Sequence, residues 1–164
     1  MTLALLLALS HPALASEPRW TLSVDPLTAA LGYSHLYLER ALLPRLSVYG
    51  GPHMRLYDAP WSEVHEPYRG FGVELGVRFF PWAKAPEGPW VAARGVAAHA
   101  HTLEDPREGA IAGYGSGLVG YTWIPWDRLV LSGGLGLQYI HYAVADYGVI
   151  GVFPAAHTAI GVAF

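Results

Sequence analysis

No cysteine occurs in the 164 residues. That excludes disulfides, thiolate metal sites and lipid attachment through an N-terminal cysteine. An exported chain of this size without disulfides must be held by its own packing or by a membrane. Charge is scarce too: Asp, Glu, Lys and Arg make up 14% of the residues, against about 25% in an ordinary soluble domain. The formal net charge is −3, which speaks against a general nucleic-acid binder. Past the first residues, no apolar run approaches the roughly 20 residues that a spanning helix needs. Sustained helical periodicity is also missing, because 19 glycines and 13 prolines interrupt almost every window.

What remains is rich in apolar and aromatic residues, 52% and 13% respectively, with a positive mean hydropathy of +0.27. High apolar content without a long run fits strands that send every second residue to lipid, as in a transmembrane β-barrel. The last residues show the pattern. Thr158, Ile160, Val162 and Phe164 share one face of a strand; His157, Ala159, Gly161 and Ala163 share the other. At the opposite end, an apolar stretch from Leu3 to Leu9 is followed by Pro12 and by Ala13-Leu14-Ala15. This is the pattern of a cleaved export signal, with cleavage expected after Ala15. No Lys or Arg precedes the stretch, so its basic region is defective. The expected organisation is a signal peptide over 1–15 and one barrel domain over 16–164.

Turn residues divide the rest into eight candidate strands. They are expected at about 20–31, 34–42, 45–57, 68–80, 90–102, 112–124, 129–142 and 152–164. Pro26 predicts a bulge or irregular start in the first. Leu36 and Leu38 are expected outward, with His35, Tyr37 and Glu39 inward. The fourth strand alternates most clearly: Phe71, Val73, Leu75, Val77 and Phe79 against Gly72, Glu74, Gly76 and Arg78. The seventh sets Leu129, Leu131, Leu135, Leu137 and Tyr139 against Ser132, Gly134, Gly136 and Gln138. The glycines of Gly113-Tyr-Gly-Ser-Gly117 are expected to make room inside. An even strand number puts both termini on one side of a membrane. With periplasmic termini, Asp58–Glu66, Leu103–Gly109 and Ala143–Gly151 become external loops. Trp61, Trp82, Trp90, Trp123 and Trp126 lie near strand ends, where interfacial aromatic girdles belong. Eight strands leave an interior that side chains fill, so no large pore is expected.

Several stretches carry a family resemblance. They are Val24-Asp-Pro-Leu, Tyr37-Leu-Glu-Arg-Ala41 and Pro44-Arg-Leu-Ser-Val48, then Gly72-Val-Glu-Leu-Gly-Val-Arg-Phe-Phe-Pro-Trp82 and Gly88-Pro-Trp-Val. Gly120-Tyr-Thr-Trp123, Asp127-Arg-Leu-Val-Leu and Gly133-Gly-Leu-Gly-Leu-Gln-Tyr139 follow. In this order and spacing the chain resembles a domain-of-unknown-function family of small bacterial outer-membrane β-barrel proteins, an OmpA/OmpX-like eight-stranded barrel. The terminal aromatic, Phe164, resembles the sorting signal that barrel assembly machinery reads. The resemblance implies an outer-membrane location, with membrane lipid and that machinery as partners. It implies no activity. A monomer without a cofactor is expected.

Glu39, Arg55, Glu74, Arg78 and Arg94 fall inside strands. Facing a lumen, they must pair with opposite charges, because a lone buried charge is very costly. A structural polar core is expected over a proton or ion path. His99 and His101, two apart, share a strand face; with His141 or His157 they are weak candidates for Zn²⁺ or Cu²⁺, which normally take three or four donors. Some outer-membrane barrels deacylate lipid A with a His-x-Ser motif. Here the position two after His141 is Ala143, so the imidazole has no nucleophile to activate, and nothing ties Ser116 or Ser132 to it. The expected function is a non-enzymatic outer-membrane protein, structural or surface-interacting. A lipid-modifying enzyme in the barrel wall and a soluble periplasmic lipocalin-like ligand carrier are the alternatives.

Overall fold

In the computed structural model, residues 18–58 and 67–164 are described. The expected signal peptide, Trp61 and nearly all of the expected Asp58–Glu66 loop lie outside them. The described chain forms one closed, antiparallel, up-and-down barrel of eight strands. The strands are β1 (Trp20–Val24), β2 (Tyr33–Leu43), β3 (Leu46–Arg55), β4 (Tyr68–Phe79), β5 (Gly88–Thr102), β6 (Gly109–Trp123), β7 (Leu129–Val144) and β8 (Tyr147–Ala163). Backbone bonds between Trp20 and Phe164 close the barrel at the end that holds both termini. We call this the terminal end and its opposite the far end.

Alternation decides which residue goes where. On β4 the outward positions Phe71 to Phe79 are all apolar and exposed, while Glu74 and Arg78 turn inward and are buried. The same parity sends Leu129 to Tyr139 of β7 outward, and Ile160, Val162 and Phe164 outward at the end of the chain. Closure gives the backbone groups of neighbouring strands partners without leaving a free sheet edge at the terminal end. Inside, small residues make way for large ones. A Cβ on Gly134 or Gly120 would lie 2.4 Å from the Trp90 ring, and one on Gly76 would lie 2.2 Å from the Tyr49 ring.

Four expectations are corrected. The first expected strand stops at Val24 and is replaced by a single helical turn, α1 (Pro26–Ala30). Asp25 caps this turn, its Oδ1 accepting from the amides of Leu27 (3.0 Å) and Thr28 (3.1 Å), and Pro26 occupies the first helical position. Gly32, at φ +93°, ends it; a Cβ there would overlap the Tyr57 carbonyl oxygen. Second, the expected loop Ala143–Gly151 is a tight hairpin. Val144 pairs with Tyr147, and Ala145 takes the left-handed conformation, at φ +51°. Third, Gly113, Gly115 and Gly117 face outward, because Tyr114 and Ser116 are the inward residues. Fourth, Trp90 does not belong to an interfacial girdle. Trp82, Trp123 and Trp126 are exposed at the terminal end, whereas Trp90 is buried in the lumen with its Nε1 donating to Thr122 at 2.9 Å.

The wall is not uniform. β7 and β8 pair over sixteen residue positions, from Leu129↔Val162 to Val144↔Tyr147. β8 and β1 pair over only four, Thr21↔Ala163 to Val24↔Ile160. Beyond that, toward the far end, α1 stands where β1 would continue. Its anchor is again Asp25, whose Oδ2 accepts from the Thr158 amide at 3.3 Å and whose Oδ1 accepts from the Thr158 hydroxyl. The Leu27 amide donates to Thr158 Oγ1 at 3.1 Å.

Candidate functional site

The lumen has three levels. At the terminal end Phe80, Trp90, Leu118 and Ala155 pack together, with Ile124, Val130 and Ala163 below them. At the far end Tyr68, Val96, Ala98, Ala100, Ala112, Tyr142 and Val144 form a second apolar plug. Between these plugs lies a buried polar network.

Its first part is built around Arg78. Nη1 donates to Glu39 Oε2 at 2.6 Å, and Nη2 lies 2.7 Å from His157 Nε2. The guanidinium carbon stands 4.8 Å from the ring centres of both Tyr49 and Trp90. Aromatic faces thus replace part of the hydration lost by burying this cation. Glu39 takes a further hydrogen bond from the Ser47 hydroxyl. His157 connects onward, its Nδ1 lying 3.7 Å from Asp25 Oδ2.

The second part centres on Glu74. Its Oε2 lies 2.7 Å from His35 Nδ1, off hydrogen-bond alignment, and accepts from the Tyr114 hydroxyl at 3.3 Å. Arg94 Nη1 reaches Oε1 at 3.5 Å, while its Nε and Nη2 reach Ser116 Oγ (3.3 Å) and the Ala156 carbonyl (3.4 Å). From His35 the contacts run on: Nε2 to His53 Nδ1 at 3.2 Å, then His53 Nε2 to the Tyr142 hydroxyl at 3.3 Å. Glu74, His35, His53 and Tyr142 therefore make one run of close polar contacts, with Arg94 and Tyr114 at its Glu74 end.

The five charged residues expected in the lumen are thus divided. Glu39 meets Arg78, and Glu74 meets Arg94. Arg55 lies apart at the far end, where it donates to Asp58 Oδ1 at 2.7 Å and to the Tyr68 carbonyl at 2.6 Å and stacks 3.7 Å over the Tyr68 ring. Of the histidines, His99 and His101 do share a face and stack with centres 6.3 Å apart, but they point out of the barrel at its far end. His157 points into the lumen and His141 outward. Among the described residues, neither joins His99 and His101 in a three-donor group. The cluster with metal-ligating chemistry is instead His35, His53 and Glu74, whose ligand atoms lie within 4.8 Å of one another. Arg94 beside Glu74 already supplies the positive charge a cation would bring. Ser116 and Ser132 face inward, away from His141. Ser132 is within 2.9 Å of Thr122 Oγ1.

Sequence reasoning missed Asp25, His53 and Tyr142. His53 shares the inward parity of Tyr49 and Arg55 on β3, which was a usable signal. At the far rim, the Tyr147 hydroxyl donates to Glu104 at 3.1 Å, and this carboxylate holds the phenol above its ordinary pKa.

Comparison with protein-family models, with curated proteins and with solved structures returned no match. The resemblance read from the sequence is therefore supported at the level of the eight-stranded barrel alone.

Proposed function

We propose that this chain is a non-enzymatic protein of the bacterial outer membrane, exported by a cleaved signal and inserted with both termini in the periplasm. The observation that carries the reading is the polarity of the wall. Leu75, Leu135 and Val152 are 66%, 68% and 69% exposed, while Glu39, Glu74, Arg78 and Arg94 are buried. Outward positions on β4 from Phe71 to Phe79, on β6 from Ile111 to Trp123 and on β7 from Leu129 to Tyr139 carry no charge. A water-soluble barrel keeps its large apolar side chains inside and rarely exposes apolar patches beyond a few hundred Å². Hydrocarbon is the solvent this surface matches. Arg40 stacks on Trp20 at the terminal end, where a membrane interface would lie.

Inside, paired charges and the two apolar plugs leave no continuous channel in this reading, and the role is structural or surface-interacting. The far-end connections, including 103–108, would make the outside contacts. The test is fractionation of cells expressing the full chain, with heated and unheated samples on a denaturing gel. Recovery with the outer membrane and a heat-dependent mobility shift supports the proposal. Recovery in the soluble fraction without a shift overturns it.

A further inference from the structure

The short β1 leaves the far half of the wall open on one side, between β8 and β2, and α1 fills this place only in part. A cavity of about 300 Å³ runs through it into the upper lumen. Leu27 and Leu31 of the α1 segment and Pro154 and Ala156 of β8 line its mouth; Ile140 and Tyr142 line its depth. Two features mark β8 here as a strand edge without a partner strand. Pro154 has no amide to donate, which is the usual signature of an edge position. The Ala156 carbonyl, beyond the last β1 pair, is reached instead by Arg94 from across the lumen.

Most of the polar groups around the cavity are engaged with one another. His35 Nε2 lies 3.2 Å from His53 Nδ1, while its Nδ1, 2.7 Å from Glu74, has no aligned hydrogen bond. Arg94, which also lines the cavity, is turned to Glu74, Ser116 and the Ala156 carbonyl. The hydroxyls of Tyr114 and Tyr142 are committed to Glu74 and His53, and the Gln138 amide nitrogen donates to the Pro154 carbonyl at 3.2 Å. The cavity therefore offers hydrocarbon and ring surface and few free hydrogen-bonding groups. Val152, two residues from Pro154 on the same outward face of β8, is exposed and apolar beside the mouth. Its volume is roughly ten times the share of one liquid water molecule, and a methylene group is of similar size. That admits one stretch of alkyl chain and excludes a whole lipid.

Resting on the membrane reading above, we propose that this side opening admits the acyl chain of an outer-leaflet lipid into the upper lumen. The chain would slide past Leu27 and Leu31 along the free edge of β8 and lie against Ile140 and Tyr142, with its head group remaining in the leaflet. No bond is made or broken.

The absence of cysteine makes single-cysteine probes straightforward. The full-length protein would carry a fluorescent label at Ile140→Cys (inward, in the cavity), Leu137→Cys (outward) or Ser132→Cys (inward, near the terminal end). Each would be reconstituted in phosphatidylcholine vesicles with plain or brominated acyl chains, bromine being a contact quencher. Quenching at Ile140 close to that at Leu137, with little at Ser132, is expected. Adding Ala156→Phe, which narrows the mouth, should lower quenching at Ile140 several-fold and leave Leu137 unchanged. If Ile140 is as protected as Ser132 while Leu137 is quenched, the inference is wrong and the membrane reading survives. If Leu137 is also unquenched, the membrane reading fails and this inference fails with it. Should the Ile140 variant lose its heat-dependent mobility shift, Gln138→Cys reads the same cavity.

Discussion

The wall from β4 to the start of β8 and the seam from β8 through β1 to β2 solve the same problem differently. In the first, long strands pair residue by residue, as in the sixteen positions shared by β7 and β8. In the second, four paired positions give way to side-chain caps: Asp25 takes the Thr158 amide and hydroxyl, and Arg94 takes the Ala156 carbonyl. A ladder satisfies backbone groups cooperatively and seals the wall. Caps satisfy them one at a time and leave space beside them. The long ladder therefore serves closure, and the capped seam is the place where the barrel can admit something.

Four substitutions sharpen this contrast, read as stability in unfolding titrations of the protein refolded in micelles or vesicles. The largest effect is expected from the lumen that both regions share. Arg78→Leu strands Glu39 beside an apolar group and should cost about 3–5 kcal/mol, the usual loss on breaking a buried pair. Asp25→Ala acts chiefly on the seam, although the Asp25 Oδ2 also lies 3.7 Å from His157 Nδ1. It removes the cap of α1 and the acceptor of the Thr158 amide, with an expected loss of about 2 kcal/mol. Gly32→Ala places a side chain at φ +93° against the Tyr57 carbonyl; roughly 1–2 kcal/mol is expected. Tyr147→Phe removes only an exposed hydrogen bond at the rim and should change stability by less than about 0.5 kcal/mol. Hydrogen exchange separates the two regions without mutation. The amides of Val152 and Ala156, which share the parity of Thr158 and turn toward the seam, should exchange faster than those of Phe153 and Ala155, which turn toward β7. Equal protection would mean that the seam is as closed as the rest of the wall.

Much of the architecture was legible in the residues because alternation is a local property. Phe71 to Phe79 against Gly72 to Arg78 assigns both faces of β4 without knowledge of its neighbours. The need for Glu39, Glu74, Arg78 and Arg94 to pair was also legible, since burial alone demands it. Which acid meets which base was not, because that depends on the stagger of strands far apart in the chain. The helical turn was overlooked because one turn is too short to show periodicity. Its caps were present all the same: Asp25 before Pro26, and Gly32 just past the end. The β7–β8 hairpin was misread because Gly148 and Gly151 look like loop glycines, although both lie within β8. His35, His53 and Glu74 come from three strands, and only the register of those strands brings them together.

The central claim is that the outward face of the barrel meets hydrocarbon. Leu75 lies in the middle of that face on β4, and Leu75→Arg tests the claim most directly. Refolded into lipid vesicles, the variant should be less stable than the parent by about 2–4 kcal/mol, the cost of a cation on a lipid-facing strand near the bilayer midplane. If Leu75→Arg folds with unchanged stability, or becomes soluble and folded without detergent or lipid, the outward surface faces water and the account is wrong.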